Sequence, residues 1–298
     1  MSHRSVLRVS GPDRIAFLQG LVSNDVEAVS GTRSIWSAFL TAQGKFLHEF
    51  FVIEEPRDTG SDPDEGALLL ECEAERRGDL QRRLKMYKLR SKIQVEDAHD
   101  TYLVAALFGE NALKLLEMEN LQGASRPLAG GKVFVDPRLP ELGARAILPA
   151  TEAEAILGDI GFQAATLADY DRLRSSLGVP DGSRDLEIEK STLLENGFDE
   201  LRGVDWKKGC YMGQELTART KYRALIKKRL MPVEITGPVP APGTPLLLAG
   251  KDAGTMRSAV GTQGLATIRL DALATAESVE LEAGDSKVTA RKPHWMQA

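Results

Sequence analysis

The segment 207–215 brings together residue types that act as reactive or binding groups on protein surfaces. It places Cys210 between Gly209 and Gly213 and directly after two lysines. Residues 207–229 contain eight basic side chains against one acid, which gives a local charge of +7 in a chain whose net charge is −5. Because a neighbouring cation stabilises a thiolate relative to a thiol, this pattern predicts a polarised thiol beside a pocket for an anion.

Local backbone structure would add to this polarisation. A helix that begins near Gly213 directs its free N–H groups, and thus positive potential, toward the preceding residues. Gly209 and Gly213 lack the Cβ atoms that keep a ligand from the backbone, and Tyr211 and Trp206 could stack on a flat heterocycle. Plainer interpretations stay open beside these: a lone cysteine is often an inert small hydrophobe, a basic run is often a solvated face, and aromatic residues often only pack.

The composition limits the kinds of site that the chain can hold. With 298 residues, 42% of them hydrophobic and 27% charged, it is a globular chain long enough for one large or two to three modest domains. Its acidic balance argues against general nucleic-acid binding. Cys72 and Cys210 are far apart and form no Cys-x-x-Cys pair, so neither a disulfide framework nor a zinc site is expected. The four histidines show no ligand spacing either.

The sequence contains no recognisable targeting or spanning segment. No apolar stretch follows the first basic residues as it would in a signal peptide, and no apolar run is long enough to cross a bilayer. We therefore expect a cytoplasmic protein without a membrane partner. A mature organelle protein that has lost its transit peptide would look the same.

The elements that must position the site are predicted from hydrophobic periodicity and turn residues. Residues 10–13 indicate a helix start, and residues 41–45 indicate a hairpin turn between strands at 34–40 and 46–54. The other predicted elements are strands at 67–71, 92–95 and 102–108, helices at 75–88, 112–121, 152–157 and 167–177, a surface loop at 56–66, and a hairpin at 132–136 and 144–148. Helices and strands mix without a regular rhythm, which favours α+β layers over a parallel doubly wound sheet.

The last 70 or so residues differ in amino-acid composition from the rest of the chain. From Leu230 onward the chain is rich in proline and glycine, with short β-prone runs at 246–248, 265–270 and 278–281. This pattern predicts a small all-β module. The expected domains are an α+β region at 1–228 and a C-terminal β-barrel at 229–298, with the boundary near residues 225–232.

A family resemblance lies in the run GVDWKKGCYMGQE at residues 203–215. It resembles the signature of the YgfZ/Iba57 family, which are folate-binding proteins that assist iron–sulfur cluster assembly and repair and are relatives of the glycine-cleavage T protein. Residues 216–220 and the segment 194–196 resemble the Iba57 branch. The resemblance implies a T-protein-like cloverleaf of two intertwined α+β lobes with a C-terminal β-barrel around a central channel. Residues 253–258 resemble a strand pair of that barrel.

The resemblance also implies a site and its ligands. Cys210 would be the reactive residue, and no metal would be bound by the chain itself. Tetrahydrofolate or another reduced folate would be the cofactor, and iron–sulfur client or assembly proteins would be the partners. Because two cysteines cannot fill the four ligand positions of a cluster, any contact with a cluster would be shared or transient. The implied folate-binding residues are Lys208, Gly209, Tyr211, Gly213, Gln214, Glu215, Arg219 and Glu195.

Departures from the T-protein pattern make inherited catalysis doubtful. Cys210 stands where T proteins have an aspartate, and Ser176 is the closest match to a glutamate that contacts the pterin. Asp79 lies roughly where T proteins keep an important acid, but we expect an ordinary helix-surface carboxylate there. His48 follows the predicted hairpin turn and could face a channel, but we expect it at the surface. We therefore predict a folate-binding accessory protein for iron–sulfur cluster assembly or repair, and whether it turns over a substrate stays open. The alternative is a folate-dependent one-carbon (aminomethyl or methyl) transferase; a thiol redox protein is disfavoured because no resolving cysteine is near.

Overall fold

The computed structural model of the chain describes residues 1–56, 66–223, 226–273 and 278–296. It divides into two compact units, each assembled from several stretches of sequence. Unit 1 comprises Met1–Leu40, His48–Ala164 and Arg202–Met212, and unit 2 comprises Thr41–Leu47, Ala165–Leu201 and Gly213–Ala298. Because the units interleave along the chain, the sequence-based division into 1–228 and 229–298 stays a prediction.

The first sheet of unit 1 is antiparallel and largely buried. Its strands are β1 (Arg4–Ser10), β2 (Ile35–Leu40), β3 (Phe46–Glu54), β4 (Ala67–Glu73) and β5 (Gln94–Asp97), and their spatial order is β2-β3-β4-β1-β5. Every residue of β2 is buried, because apolar residues continue through the strand and both faces are covered. The predicted hairpin of β2 and β3 and the predicted strand β4 are confirmed. Residues 57–65 of the predicted surface loop lie outside the described residues.

Two helices accompany this sheet. They are α1 (Arg14–Gln19) and α2 (Arg77–Tyr87), and both confirm predicted helices. In α2, Leu80 and Leu84 are fully buried, which matches their spacing of one helical turn. The C-terminal end of α2 is therefore held firmly by its inner face, while its outer face is open to solvent.

The second sheet of unit 1 has four strands, β6 (Tyr102–Leu107), β7 (Ser125–Leu128), β8 (Gly131–Val135) and β9 (Ala144–Pro149), in the order β6-β9-β8-β7. Its helices are α3 (Ala112–Leu115) and α4 (Ala153–Ile160). The predicted hairpin of β8 and β9 is confirmed, with Val133 opposite Ala146. Helix α3 is shorter than the predicted 112–121, because Glu117 has a φ of 51°, which right-handed helix does not allow.

A charge-balanced ion network lies in the core of unit 1. Three arginines and three acids, all with side chains at most 2% exposed, bond to one another. The guanidinium of Arg145 also lies 4.3 Å from the ring centroid of Phe51. Since removal of one partner of a buried pair leaves an uncompensated charge, loss of any one of these side chains would destabilise unit 1. The members of the network are Arg4, Glu49, Glu71, Asp136, Arg138 and Arg145.

Unit 2 contains a closed six-stranded barrel, which confirms the predicted C-terminal β-module. The barrel order is β10-β13-β12-β11-β14-β15, and Met231, Met256 and Val288 lie in its core. The strands are β10 (Lys228–Thr236), β11 (Pro245–Leu248), β12 (Lys251–Val260), β13 (Gln263–Arg269), β14 (Ser278–Ala283) and β15 (Ser286–Arg291). The helices of the unit are α5 (Leu167–Ser176), α6 (Gln214–Tyr222) and α7 (Leu270–Leu273).

Helix α5 is joined to the barrel by a second buried ion cluster. Arg174 donates to Asp171 and Asp185, each at 2.6 Å, and its pKa is raised because these acids outweigh the cost of burial. Ser258 of β12 donates to Asp185. Helix α5 and the segment 253–258, which resembles a strand pair of the T-protein barrel, therefore meet at one carboxylate. No helix in the described ranges is long and apolar enough to span a bilayer.

Candidate functional site

The signature loop, residues 203–212, is fixed to the chain that follows α1 in unit 1. The hydroxyl of Ser23 donates to the carbonyl of Gly203 at 2.6 Å. At the other end of the loop, the N–H of Met212 donates to the carbonyl of Gly20 at 3.1 Å. The loop is therefore tied at both ends to residues nearly 200 positions away in the sequence, and the part between the ties has a defined position.

Lys208 holds the loop from beneath. Its ammonium donates to the carbonyls of Gln19 at 2.7 Å and Val22 at 2.6 Å, and it lies 5.3 Å from the ring centroid of Tyr211. These carbonyls are at the C-terminal end of α1, where a cation is favoured by the unsatisfied acceptors and the helix dipole. Burial lowers the pKa of Lys208 to about 8, although Asp25 opposes the shift. Lys208 is thus committed to backbone carbonyls, and its ammonium serves to cap a helix.

Cys210 lies on the exposed tip of the signature loop. It follows Gly209, whose φ is +90° and whose missing Cβ would meet nothing within 4 Å. The glycine is therefore required by the left-handed backbone, and the space beside it is open. The other cysteine, Cys72, is buried in β4, where burial raises the pKa of its thiol, so Cys72 is a small hydrophobic core residue.

Gly213 begins the part of the signature that belongs to unit 2. It has a φ of +81° and precedes α6, so the predicted helix start is confirmed. A Cβ on Gly213 would lie 2.4 Å from the carbonyl oxygen of Thr41 and 3.0 Å from the Cα of Gly44. The gap left by the missing side chain is therefore filled by the hairpin turn of the protein itself, and this glycine serves close backbone packing.

The remaining predicted binding residues occupy two places in unit 2. Gln214, Glu215 and Arg219 lie on α6, with Glu215 and Arg219 exposed. Glu195 is half-buried in a separate turn, where it accepts a hydrogen bond from the hydroxyl of Thr192 at 2.9 Å. Helix α6 thus presents a cation and a carboxylate to solvent, while the Glu195 carboxylate already accepts a hydrogen bond.

The basic segment 207–229 is divided between several tasks. Arg229 is buried and pairs with Glu200, and Lys221 pairs with Asp199 at 3.0 Å. These four charges line a cavity of about 280 Å³, whose lining is therefore balanced in charge. Five other residues of the segment reach solvent: Lys207, Arg219, Arg223, Lys227 and Lys228 are all exposed.

His48 corrects a prediction from the sequence. It was expected at the surface, but it is 2% exposed, and its Nε2 lies 3.0 Å from Asp79 of α2. Burial, together with the charge of Arg76, lowers the pKa of His48 to about 4 despite the neighbouring carboxylate, so the ring is neutral at pH 7 and donates to Asp79. No local pattern marks this pair, because the two residues lie on different elements.

Asp79 is half-exposed on α2, as expected for a helix-surface carboxylate. Partial burial would raise its pKa, but hydrogen bonds from Arg83, Arg82 and His48 outweigh that effect and hold the pKa well below its usual range. Asp79 is therefore ionised at all ordinary pH values and is surrounded by donors from this same unit.

Comparison with known proteins finds two kinds of match. A model of the CAF17 C-terminal beta-barrel domain matches residues 227–298. The chain is 32% identical to the mitochondrial iron–sulfur cluster assembly factor IBA57 of Mus musculus, and the match covers 98% of this chain and 83% of that protein. It is 33% identical to the mitochondrial IBA57 homologue of Neurospora crassa, over 78% of this chain and 52% of that protein. The chain thus spans about half of the length of the fungal relative.

The fold has a solved counterpart. The glycine cleavage system aminomethyltransferase T of Bartonella henselae superposes with a TM-score of 0.74 at 17% identity, covering 98% of this chain and 83% of that one. This likeness confirms the T-protein-like α+β fold with its C-terminal barrel. The expected cytoplasmic location is wrong, since both IBA57 relatives are mitochondrial proteins.

Proposed function

The chain belongs to the IBA57 family of iron–sulfur cluster assembly factors, and we propose on that premise that it supports assembly or repair of iron–sulfur clusters through Cys210. The observation that supports this proposal is the position of the thiol. Cys210 is exposed at the tip of a loop that is tied down on both sides, whereas the only other thiol is buried.

The anchored loop suits a thiol that must meet a second protein. A fixed loop presents the sulfur without the entropy cost of ordering a mobile segment on contact. Lys208 is a positioning residue in this arrangement, because it bonds the loop to the end of α1. Cys210 is exposed, and no atom lies within 4 Å of the place where a Cβ on Gly209 would stand, so an approaching group meets no obstacle there.

The single accessible thiol limits how the chain could coordinate a cluster. Iron–sulfur clusters are held by about four protein ligands, and a single accessible cysteine contributes one thiolate. The remaining ligands must therefore come from the protein that donates or receives the cluster. The proposed contact is shared and transient, and the client or assembly protein completes the coordination.

A reduced folate is the proposed small-molecule ligand, and the residues present fit one end of it better than the other. The exposed cation Arg219 on α6 suits the carboxylates of the glutamate tail. Ser176, at the position of the pterin-contacting glutamate, donates to the carbonyl of Leu173 within its own helix at 2.8 Å, so it provides no such contact. When bound, the folate would supply one-carbon chemistry; the chain's own contribution is to hold the anionic tail.

The transferase alternative gains no particular support from the side chains. Asp79 is surrounded by His48, Arg82 and Arg83, and Glu195 accepts from Thr192. Both carboxylates are therefore engaged within the protein. The alternative would be favoured by turnover of a methylamine-type substrate with tetrahydrofolate.

Complementation tests the central role of Cys210. In cells that lack the gene, the wild-type chain is expected to restore the activity of iron–sulfur enzymes, and Cys210→Ala is expected to fail at equal protein level. Cys72→Ala is the matched control, because it removes the buried thiol and should retain function. Full rescue by Cys210→Ala would overturn the proposal.

Calorimetry with tetrahydrofolate tests the ligand separately. We expect binding to the wild type and to Cys210→Ser, and at least tenfold weaker binding to Arg219→Ala. Arg223→Ala is the control, since Arg223 is an exposed arginine just beyond the same helix. Absence of binding would remove folate from the proposed function without affecting the role of Cys210. Equal affinity of all variants would instead show that Arg219 does not hold the folate.

A further inference from the structure

A dense basic run lies at the C-terminal end of α2, outside the signature. We call residues 82–92 the α2 ridge. Within these eleven positions there are six basic residues and no acid: Arg82, Arg83, Lys85, Lys88, Arg90 and Lys92. Lys85, Arg90 and Lys92 are exposed, and among the described residues no carboxylate forms an ion pair with them. The ridge is thus a positive surface that the proposed function does not use.

Apolar side chains project from the same surface. Leu89 is 89% exposed and Met86 is 64% exposed. Tyr87, between them, is 41% exposed and packs its ring edge on Phe39. The ridge therefore presents two apolar side chains surrounded by cations.

The backbone at Leu89 adds an independent sign of function. Leu89 has a φ of +41°, a region in which glycine or asparagine costs far less free energy than leucine. Of the six non-glycine residues that the described part of the chain holds at positive φ, Leu89 is the one with a large apolar side chain. Folding alone would be better served by glycine, and strain of this kind is concentrated at functional sites.

The ridge is also rigid. Leu80 and Leu84 are fully buried beneath it, and Asp79 accepts hydrogen bonds from Arg82 and Arg83. The turn that carries Leu89 is closed by a hydrogen bond of 2.7 Å from the N–H of Ser91 to the carbonyl of Lys88. The apolar side chains are therefore held in place before any partner arrives.

We propose that the α2 ridge docks an acidic protein surface, with Leu89 and Met86 entering an apolar socket and the surrounding cations facing carboxylates. Arginine, methionine and tyrosine are enriched at protein interfaces, and the ridge contains all three. A positive patch on a chain of net charge −5 selects an acidic partner and accelerates its approach. This surface does not include Cys210, and its role would be to select the protein that binds.

A lipid bilayer is a poorer match for these observations. Binding of a protein to a membrane surface grows with the apolar area that it buries, and the ridge offers two largely exposed apolar side chains on a rigid turn. An apolar socket on a folded protein can make full contact with a side chain that is already held in place. A fluid bilayer adapts to its ligand and does not require a fixed side chain. The observations therefore favour a folded protein.

The docking proposal is tested by photo-crosslinking in cells that express the full chain. Met86→p-benzoylphenylalanine places the reactive group beside Leu89, and the same substitution at Leu121, which is 58% exposed elsewhere in unit 1, is the control. We expect a protein adduct from position 86 and none of the same mass from position 121. Adduct yield should fall at least tenfold in Leu89→Gly, which keeps the left-handed backbone and should unfold at the wild-type temperature or above.

Charge substitution then identifies the partner surface. Lys85→Glu/Lys88→Glu should reduce the adduct at least tenfold, whereas Lys251→Glu/Lys287→Glu on the barrel should not. In the captured protein, changing facing Asp or Glu residues to Lys should restore the adduct with the first variant. The proposal is overturned by an adduct that persists in Leu89→Gly, by capture of a second copy of this chain, by Leu89-dependent sedimentation with phosphatidylserine vesicles, or by no adduct at all.

Discussion

The signature loop and the α2 ridge are both basic, and both contain a residue in left-handed backbone, yet they use these features in opposite ways. In the loop, Gly209 takes the left-handed position at little cost and leaves Cys210 free, while Lys208 is turned inward onto two carbonyls. In the ridge, Leu89 itself occupies the left-handed position and is exposed. The loop is arranged to present a thiol, and the ridge is arranged to present an apolar contact.

This difference teaches that a count of positive charges does not define a binding surface. A lysine that bonds to backbone carbonyls stabilises the fold and is no longer available to an anion. A lysine that extends into solvent contributes little to stability but remains free to attract a partner. Stability measurements on matched variants of the two regions can therefore separate the two roles.

The largest expected effect on stability concerns the hydrogen bond from His48 to Asp79, which lies on α2 just before the ridge. Folded His48 stays neutral down to a pKa of about 4, whereas the unfolded chain binds this proton near 6.5. Between these values the unfolded state binds more protons, so stability falls as pH falls. At about 1.4 kcal/mol per pH unit, the loss approaches about 3 kcal/mol.

Denaturant unfolding at a series of pH values between 7 and 4 measures this effect. His48→Gln retains a donor for Asp79 but does not titrate, so its stability should depend less steeply on pH over this interval. If the free energy of unfolding depends on pH with the same slope in the wild type and in the variant, His48 does not cause the pH dependence. The depressed pKa of Asp79 acts at lower pH, below the window that is assigned to His48.

A second comparison replaces one lysine in each region by methionine. Lys208→Met removes a charged donor from two carbonyls, and we expect the free energy of unfolding to fall by about 2 kcal/mol. Lys85→Met removes an exposed cation from the ridge, and we expect a change within about 0.5 kcal/mol. Equal effects in denaturant unfolding would show that Lys208 does not anchor the loop.

The smallest effects should have opposite signs. Gly209→Ala introduces a Cβ at a left-handed residue without a steric clash, and we expect a loss of about 1 kcal/mol. Leu89→Gly relieves left-handed strain at an exposed position, and we expect a gain of up to about 1 kcal/mol, partly offset by the greater freedom of the unfolded chain. A clear loss of stability in Leu89→Gly would mean that the leucine side chain serves folding.

The sequence by itself determined the features that depend on near neighbours. The hairpin of β2 and β3, the barrel strands β11, β13 and β14, and the helix start after Gly213 were predicted, because alternation and turn residues act over a few positions. The run at 203–215 also indicated the family. The exposed position of Cys210 is consistent with its glycine-flanked, lysine-rich surroundings.

Tertiary structure alone decided which groups these residues contact. Lys208 bonds to carbonyls 186 and 189 residues away, and His48 bonds to Asp79 across 31 residues. The sequence also did not predict the α2 ridge. Whether its cations and Leu89 are exposed depends on which other segments pack beside them. Which residues form hydrogen bonds over such separations depends on how distant segments of the chain pack together. Local periodicity, charge and residue type do not contain that information.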